Sequence, residues 1–189
     1  VQGASRPISA EEMAACASGG VTYVEAPVAF DGISVVVHPQ NAATNITMAE
    51  LKRMWEPAAE RRVTTWRQVN ASWPATPLQL FGPGTASGTF DFFTQAVVGA
   101  EGASRTDYTP SEDDNVIVQG VAGNPGGLGY FGLAYYEQNQ QRLKALSING
   151  VAPNAETIAS GRYPLARPLF IYINAEALRR PQVQRFAQF

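Results

Sequence analysis

The segment FGPGTASGTFDFFTQAVV, Phe81 to Val98, begins as a glycine-rich turn and continues as an amphipathic helical pattern. Ser87 occupies an N-cap position, and apolar side chains then recur at helical spacing, at Phe90, Phe93 and Val97. We therefore predict a helix over residues 88–98 that packs against a sheet. The start of a helix carries unpaired backbone N–H groups and partial positive charge, and glycine lets a ligand approach them closely. The pattern fits both an anion-binding turn without a cationic side chain and an ordinary capped helix.

Two other glycine-rich motifs do not fit this segment. No Gly-Lys-Ser/Thr follows the turn, which excludes a Walker loop. Thr85 stands two residues before Ser87 where a hydrolase nucleophile elbow has glycine. A serine nucleophile would also need a base within hydrogen-bond reach, and we assign His38, the one histidine of the sequence, to a strand end or hinge. We therefore expect no enzyme.

Composition narrows the class of protein. The chain has 189 residues, of which 45% are hydrophobic and 16% charged, and its formal net charge is −2. These values are typical of one globular domain or two small lobes, and they argue against a nucleic-acid-binding protein, which would carry a basic face. The single cysteine, Cys16, excludes an intrachain disulfide and a cysteine-based metal cluster.

Strand and helix patterns alternate along the chain. We predict strands over residues 21–28, 32–38, 78–81, 128–132, 144–148 and 169–174. We predict helices over residues 9–18, 47–55, 88–98, 112–120 and 133–139, the first two opened by capping boxes. Such alternation predicts α/β layers. The chain opens at Val1 and closes in an amphipathic helical pattern after Pro181, so we also expect a piece of a longer protein.

Several conspicuous residues are given structural roles. Residues 112–114 (Glu-Asp-Asp), beside Ser111 as N-cap, are predicted to complement a helix dipole rather than to hold a metal. Arg167 is predicted to pair with a nearby carboxylate. Three tryptophans are assigned to core or loop packing, namely Trp55, Trp66 and Trp73.

Five stretches carry a resemblance to a known family. They are Gly3-Ala4-Ser5-Arg6-Pro7-Ile8 and residues 82–90, 111–121, 127–132 and 162–170. In this order, and over nearly the whole chain, they resemble the phosphate-binding proteins of bacterial phosphate ABC importers.

The resemblance implies a periplasmic-binding-protein-like α/β fold, a two-lobed Venus flytrap. Residues 39–161 would form a complete second lobe. Residues 1–38 and 162–189 would form a truncated first lobe, with hinge crossings near His38-Pro39 and Tyr163-Pro164. The unpaired strand edges of a truncated lobe tend to self-associate, so we expect an oligomer or a partner chain there.

The implied function is that of an extracytoplasmic receptor, periplasmic or on the cell surface, which binds inorganic phosphate and delivers it to an ABC permease. No cofactor, metal or nucleic acid is expected. The alternatives are a receptor for another tetrahedral oxyanion, the same fold in a signalling or adhesive role, and, against the sequence evidence above, a serine hydrolase or phosphatase.

The ligand set is carried over by position. Ser87, Gly88 and Thr89 match the anion-binding turn of the second lobe, and Ser5 with Arg6 falls in a binding turn of the first. Some relatives carry aspartate where this chain has Arg6 or Ala86, and some carry arginine where it has Pro83. A carboxylate at such a place would accept the proton of phosphate and repel sulfate. We therefore expect modest discrimination between oxyanions.

Overall fold

The computed structural model describes residues 1–4 and 7–188. Its contacts divide the chain into two compact units. The first unit comprises Val1–Asp31 and Arg167–Phe189, and the second comprises Gly32–Ala166. We expected the second lobe to span residues 39–161. The second unit begins earlier, at Gly32, and ends later, at Ala166. The assignment of the units to lobes stays a prediction.

The elements follow in the order of the chain. The strands are β1 (Gln2–Ala4), β2 (Tyr23–Val37), β3 (Asn45–Ile46), β4 (Gln79–Pro83), β5 (Thr109–Ser111), β6 (Gly127–Gly132), β7 (Lys144–Ala145), β8 (Ser147–Ile148) and β9 (Ala166–Asn174). The helices are α1 (Ala10–Ser18), α2 (Met48–Trp55), α3 (Trp66–Val69), α4 (Gly88–Val97), α5 (Asp114–Ala122), α6 (Leu133–Gln138), α7 (Ala155–Ala159) and α8 (Pro181–Gln188). Short 3-10 helices occupy Pro57–Ala59 and Glu176–Arg179. None of the described helices has the length and apolarity needed to cross a bilayer.

The first unit contains β1, β9 and the first part of β2. Strand β1 is antiparallel to β9, with Gly3 opposite Ile171, and β9 lies beside β2. Helix α1 begins with the predicted capping box: the Oγ of Ser9 accepts from the N–H of Glu12, whose carboxylate accepts from the N–H of Ser9. Asp31, within β2, accepts from Arg167 at 2.9 Å, which confirms the predicted pairing of Arg167 with a carboxylate.

That pairing explains the first correction. We predicted two strands, over 21–28 and 32–38, because both stretches are rich in Val, Ile, Tyr and Phe. The structure has the single strand β2, since Asp31 bonds to Arg167 instead of turning the chain. The predicted strand 144–148 is also divided into two short strands. Strand β7 pairs with β2, whereas β8 pairs with β3.

The second unit is built on a mixed sheet. Strand β2 is antiparallel to β6, with Val37 opposite Leu128, while β4 is parallel to both β5 and β6. The carboxyl ends of β4, β5 and β6 therefore lie at one edge of the sheet. In open α/β sheets this edge is where ligands usually bind.

Both faces of this sheet are buried. On β2, Val35 and Val37 belong to the core cluster that includes residues of α2 and α4, while Val36 belongs to a second cluster with α5. Successive strand residues point to opposite faces, so this division indicates three layers, helix–sheet–helix. Trp55 and Trp66 are buried in the first cluster and Trp73 packs against it, which confirms their assignment to packing.

Candidate functional site

The connection between β4 and α4 forms a compact turn that ends in a capped helix. The N–H of Ser87 donates to the carbonyl of Gly84 at 3.1 Å, and the N–H of Asp91 donates to the carbonyl of Ser87 at 3.2 Å. The Oγ of Ser87 accepts from the N–H of Thr89 at 3.2 Å. Helix α4 thus begins at Gly88, as predicted, and the structure brings Ser87, Gly88 and Thr89 together in its first turn.

Helix α4 is fixed from its buried side. Phe93 is fully buried, and its ring stacks on that of Tyr130 with centroids 3.7 Å apart and an angle of 9° between the planes. On the opposite side Ser87 and Thr89 are half-buried, and Gly88 is exposed. The first turn of α4 is therefore anchored by aromatic packing while it stays accessible to a small ligand.

Tyr108 fixes the strand end that leads into this turn. Its hydroxyl donates to the carbonyl of Pro83 at 2.9 Å. Burial raises the pKa of the Tyr108 hydroxyl, and the charge of Glu112 raises it further. Beside Pro83, a side chain at Gly82 would press on the rings of Tyr130 and Trp55. The turn therefore starts from a backbone held by one hydrogen bond and by close aromatic contacts.

Glu112 lies against the same turn, which the sequence analysis missed. A Cβ atom added at Gly84 would overlap the Oε1 of Glu112, so the carboxylate occupies the space beside the Gly84 backbone. Glu112 follows β5, and Gly84 follows β4; the parallel pairing of these strands brings them together. Neighbouring parallel strands end at the same edge of a sheet. The contact would therefore have been predictable if the pairing of β4 with β5 had been known from the sequence.

The acidic run after β5 also differs from expectation. Ser111 ends β5, opposite Pro83, instead of capping a helix. The N-cap of α5 is Asp113, whose Oδ1 accepts from the N–H of Asn115 at 2.9 Å. The predicted helix over 112–120 is therefore shifted to Asp114–Ala122, and Asp114 stands in its first turn. Burial raises the pKa of the Asp114 carboxyl, and the charge of Asp113 adds to this.

Within residues 1–4 and 7–188, no group of three or more acidic, histidine or cysteine side chains could hold a metal ion.

Arg105 is buried near the turn, but its charge is already neutralised. Its side chain is 5% exposed, and it forms an ion pair with Asp107, with Nη2 donating to Oδ2 at 2.8 Å. Its Nη1 donates to the carbonyls of Met54 and Val63, at 3.1 and 3.0 Å. The hydrogen bonds from Arg105 lower the pKa of Asp107 to about 2. Arg105 thus holds its loop in place.

The remaining predicted site residues stand elsewhere. Ser5 and Arg6 lie outside the described residues. His38 directly follows β2, and its Nδ1 accepts from the N–H of Gln40 at 3.1 Å, which agrees with a role at a strand end.

Comparison with known proteins agrees with this architecture. A family model described as a PBP superfamily domain matches residues 1–189. The chain therefore belongs to the PBP superfamily. This membership and the α/β architecture confirm the predicted periplasmic-binding-protein-like fold.

Curated relatives match the chain, and PstS among them is named for phosphate binding. The chain is 46% identical over 195 residues to protein SphX of Synechococcus elongatus, which covers 100% of the chain and 58% of that relative. It is 36% identical to the phosphate-binding protein PstS of Staphylococcus haemolyticus, over 96% of the chain and 57% of PstS. The chain thus spans a little over half the length of these curated relatives. The match to PstS confirms the resemblance to phosphate-binding proteins.

Solved structures match as well. The crystal structure of a possible phosphate binding protein from Planctomyces limnophilus is 47% identical, with a TM-score of 0.84, over 99% of the chain and 68% of that protein. An ABC-type phosphate transport receptor from Vibrio cholerae is 20% identical with a TM-score of 0.81, which supports the fold alone.

Proposed function

We propose that this chain is part of an extracytoplasmic receptor that binds inorganic phosphate and delivers it to an ABC permease. The observation that carries the proposal is the position of Ser87, Gly88 and Thr89, in the first turn of α4 and at the carboxyl-end edge of a parallel strand pair. Anions bind at such helix starts because backbone N–H groups point outward and the helix dipole is positive there. The names of the relatives support phosphate as the anion.

The proposed ligand set combines two turns. The first turn of α4 would supply backbone N–H groups and the hydroxyls of Ser87 and Thr89. Ser5 and Arg6 would supply a hydroxyl and a guanidinium, on the resemblance alone. Arg6 would donate two hydrogen bonds in the fork geometry that suits a phosphate.

We further propose that the protein is a receptor and not an enzyme, and that it acts in the periplasm or on the cell surface. The support is the family itself, since matched relatives are named as phosphate-binding proteins. In the second unit, Ser87 Oγ serves as the N-cap of α4, where it accepts a hydrogen bond from the N–H of Thr89.

The test is a calorimetric phosphate titration of the intact receptor that contains this chain. Ser87→Ala and Thr89→Val should each weaken phosphate binding about 10- to 100-fold, because each removes a hydrogen bond to a charged ligand. Thr109→Val, which removes an exposed hydroxyl on β5, serves as the matched control and should bind as wild type. Equal affinity in all variants would place the anion elsewhere. Steady hydrolysis of a chromogenic phosphate ester, abolished by Ser87→Ala, would replace the receptor with an enzyme.

A further inference from the structure

A second cavity lies in the second unit, beside β5. Its volume is about 490 Å³, within the range of small-molecule sites. The walls come from the turn after β4, from residues 102–106 and from the end of β5. Gly84 and Thr85 line it, whereas Ser87, Gly88 and Thr89 do not. The cavity therefore adjoins the candidate anion site, and its lining differs from the residues proposed to hold the anion.

The charge of this cavity is negative. Arg105 is its basic lining residue, and Asp107 together with two backbone carbonyls occupies that guanidinium. Glu112, an exposed residue, also lines it, and within the described part of the chain its carboxylate has neither a hydrogen bond nor an ion pair. A ligand that enters the cavity would thus meet one uncompensated negative charge.

The remaining lining offers aromatic surface and one unused hydroxyl. Phe90 and Tyr108 both line the cavity. The Oγ of Ser104, another lining residue, is buried and lacks a hydrogen-bond partner among residues 1–4 and 7–188. A buried hydroxyl without a partner is costly, so a ligand that bonds to Ser104 would remove an existing penalty.

We propose that this cavity binds a small organic cation, an ammonium or guanidinium group on a short apolar body. Glu112 pairs with the cationic group, and Ser104 accepts a hydrogen bond from it. The rings of Tyr108 and Phe90 contact the apolar body and present their faces to the cation. An organic anion is disfavoured, since Glu112 would repel it and the Arg105 guanidinium is already paired with Asp107. The proposal goes beyond oxyanion binding and does not depend on it.

The experiment is an NMR titration of the intact receptor that contains this chain with n-butylammonium chloride, with 1-butanol as the uncharged probe of the same shape. We expect saturable shifts of the Ser104, Tyr108 and Glu112 amides with the ammonium and much weaker shifts with the alcohol. Glu112→Gln should weaken ammonium binding about three- to fivefold, because the ion pair with an exposed carboxylate is lost. Glu101→Gln removes an exposed carboxylate that does not line the cavity, and it should bind as wild type.

A second variant separates binding from folding. Ser104→Ala should weaken ammonium binding about threefold. The same change should not lower the melting temperature of the empty protein, because the hydroxyl that it removes has no partner. Three outcomes would overturn the proposal: equal binding of 1-butanol, an unchanged affinity in Glu112→Gln, or shifts that lie away from the cavity.

Discussion

Ala86 is a small, exposed residue in the turn before α4. The resemblance implies an aspartate at this place in some relatives, and we expect this difference to affect selectivity. Phosphate near neutral pH still carries a proton, whereas sulfate carries none. A carboxylate near the anion can accept that proton, and it faces sulfate as an unpaired like charge.

We expect Ala86→Asp to raise the ratio of phosphate to sulfate affinity in the intact receptor, mainly by weakening sulfate. Paired titrations of both anions at one pH and salt concentration measure the ratio. Ala86→Asn is the matched control, because it has the same shape without the charge, and it should change the ratio much less. If the wild type already rejects sulfate by many decades, the proton acceptor lies elsewhere and this interpretation of Ala86 is wrong.

Residues of the site differ in how far the sequence predicts them. The position of Ser87 at the start of α4 follows from local patterns, namely a capping residue and apolar side chains at helical spacing. The contact of Glu112 with Gly84 and the bond from Tyr108 to Pro83 depend on the pairing of β4 with β5. Pairing is a long-range property that no local pattern encodes, so the sequence analysis missed both contacts.

At the scale of elements, a buried cation, Arg105, ties the segment between α4 and β5 to its neighbours. Arg105 bonds to the carbonyls of Met54, at the end of α2, and Val63, and it pairs with Asp107 within its own segment. A segment without regular structure therefore gains a fixed position beside α2. It forms one wall of the second cavity, so the shape of that cavity depends on this clamp.

The clamp predicts a pH dependence of stability. The folded pKa of Asp107 is about 2, below its ordinary 3.8, so the pair stabilises the fold above the unfolded pKa and its contribution is lost as the pH falls through the folded pKa. Asp107→Asn should lower the free energy of unfolding at pH 7 on the order of 1–2 kcal/mol, a value reduced for the partial exposure of the carboxylate.

Urea denaturation at several pH values between 7 and 3 measures this difference. The gap between wild type and Asp107→Asn should shrink as the pH falls. Glu137→Gln, at an exposed carboxyl of α6, should show little difference at any pH. A gap that stays constant down to pH 3 would mean that the asparagine disturbs packing and that the charge of Asp107 is unimportant.

The order of the elements was largely predictable, while their continuity was not. Capping boxes located α1 and α2, because such caps are local. The single strand β2 was predicted as two, since Asp31 has its partner Arg167 far along the chain. The start of α5 was missed because Ser111 was taken for a cap, although it pairs with β4.

At the scale of the whole molecule, the first unit exposes apolar side chains along β2. Val24, Val28 and Phe30 are 43, 53 and 52% exposed. These even-numbered positions share one face of the strand. An exposed apolar face next to strand edges favours association with another chain, and a second copy of this chain offers the same surface.

We therefore expect the 189-residue chain to form dimers or larger oligomers as its concentration rises. Light scattering over a range of concentrations measures the mass. Phe30→Lys should shift the equilibrium toward the monomer, because a charge at the contact would have to be buried. Val116→Lys, at an exposed apolar position of α5, is the control and should associate as wild type. A single monomeric mass at high concentration would contradict the expectation.

The aromatic packing beneath the turn between β4 and α4 also places a tryptophan where its fluorescence can respond to the turn. Trp55 is fully buried, with ring centroids 5.4 Å from Tyr108 and 5.0 Å from Tyr130. Tyr108 holds the carbonyl of Pro83, from which the turn begins. A shift of the turn on ligand binding would move Tyr108 relative to the indole. Such a movement would change the emission wavelength of Trp55 and the energy that Trp55 receives from excited tyrosines. Intrinsic fluorescence would therefore report ligand binding at the turn without a label.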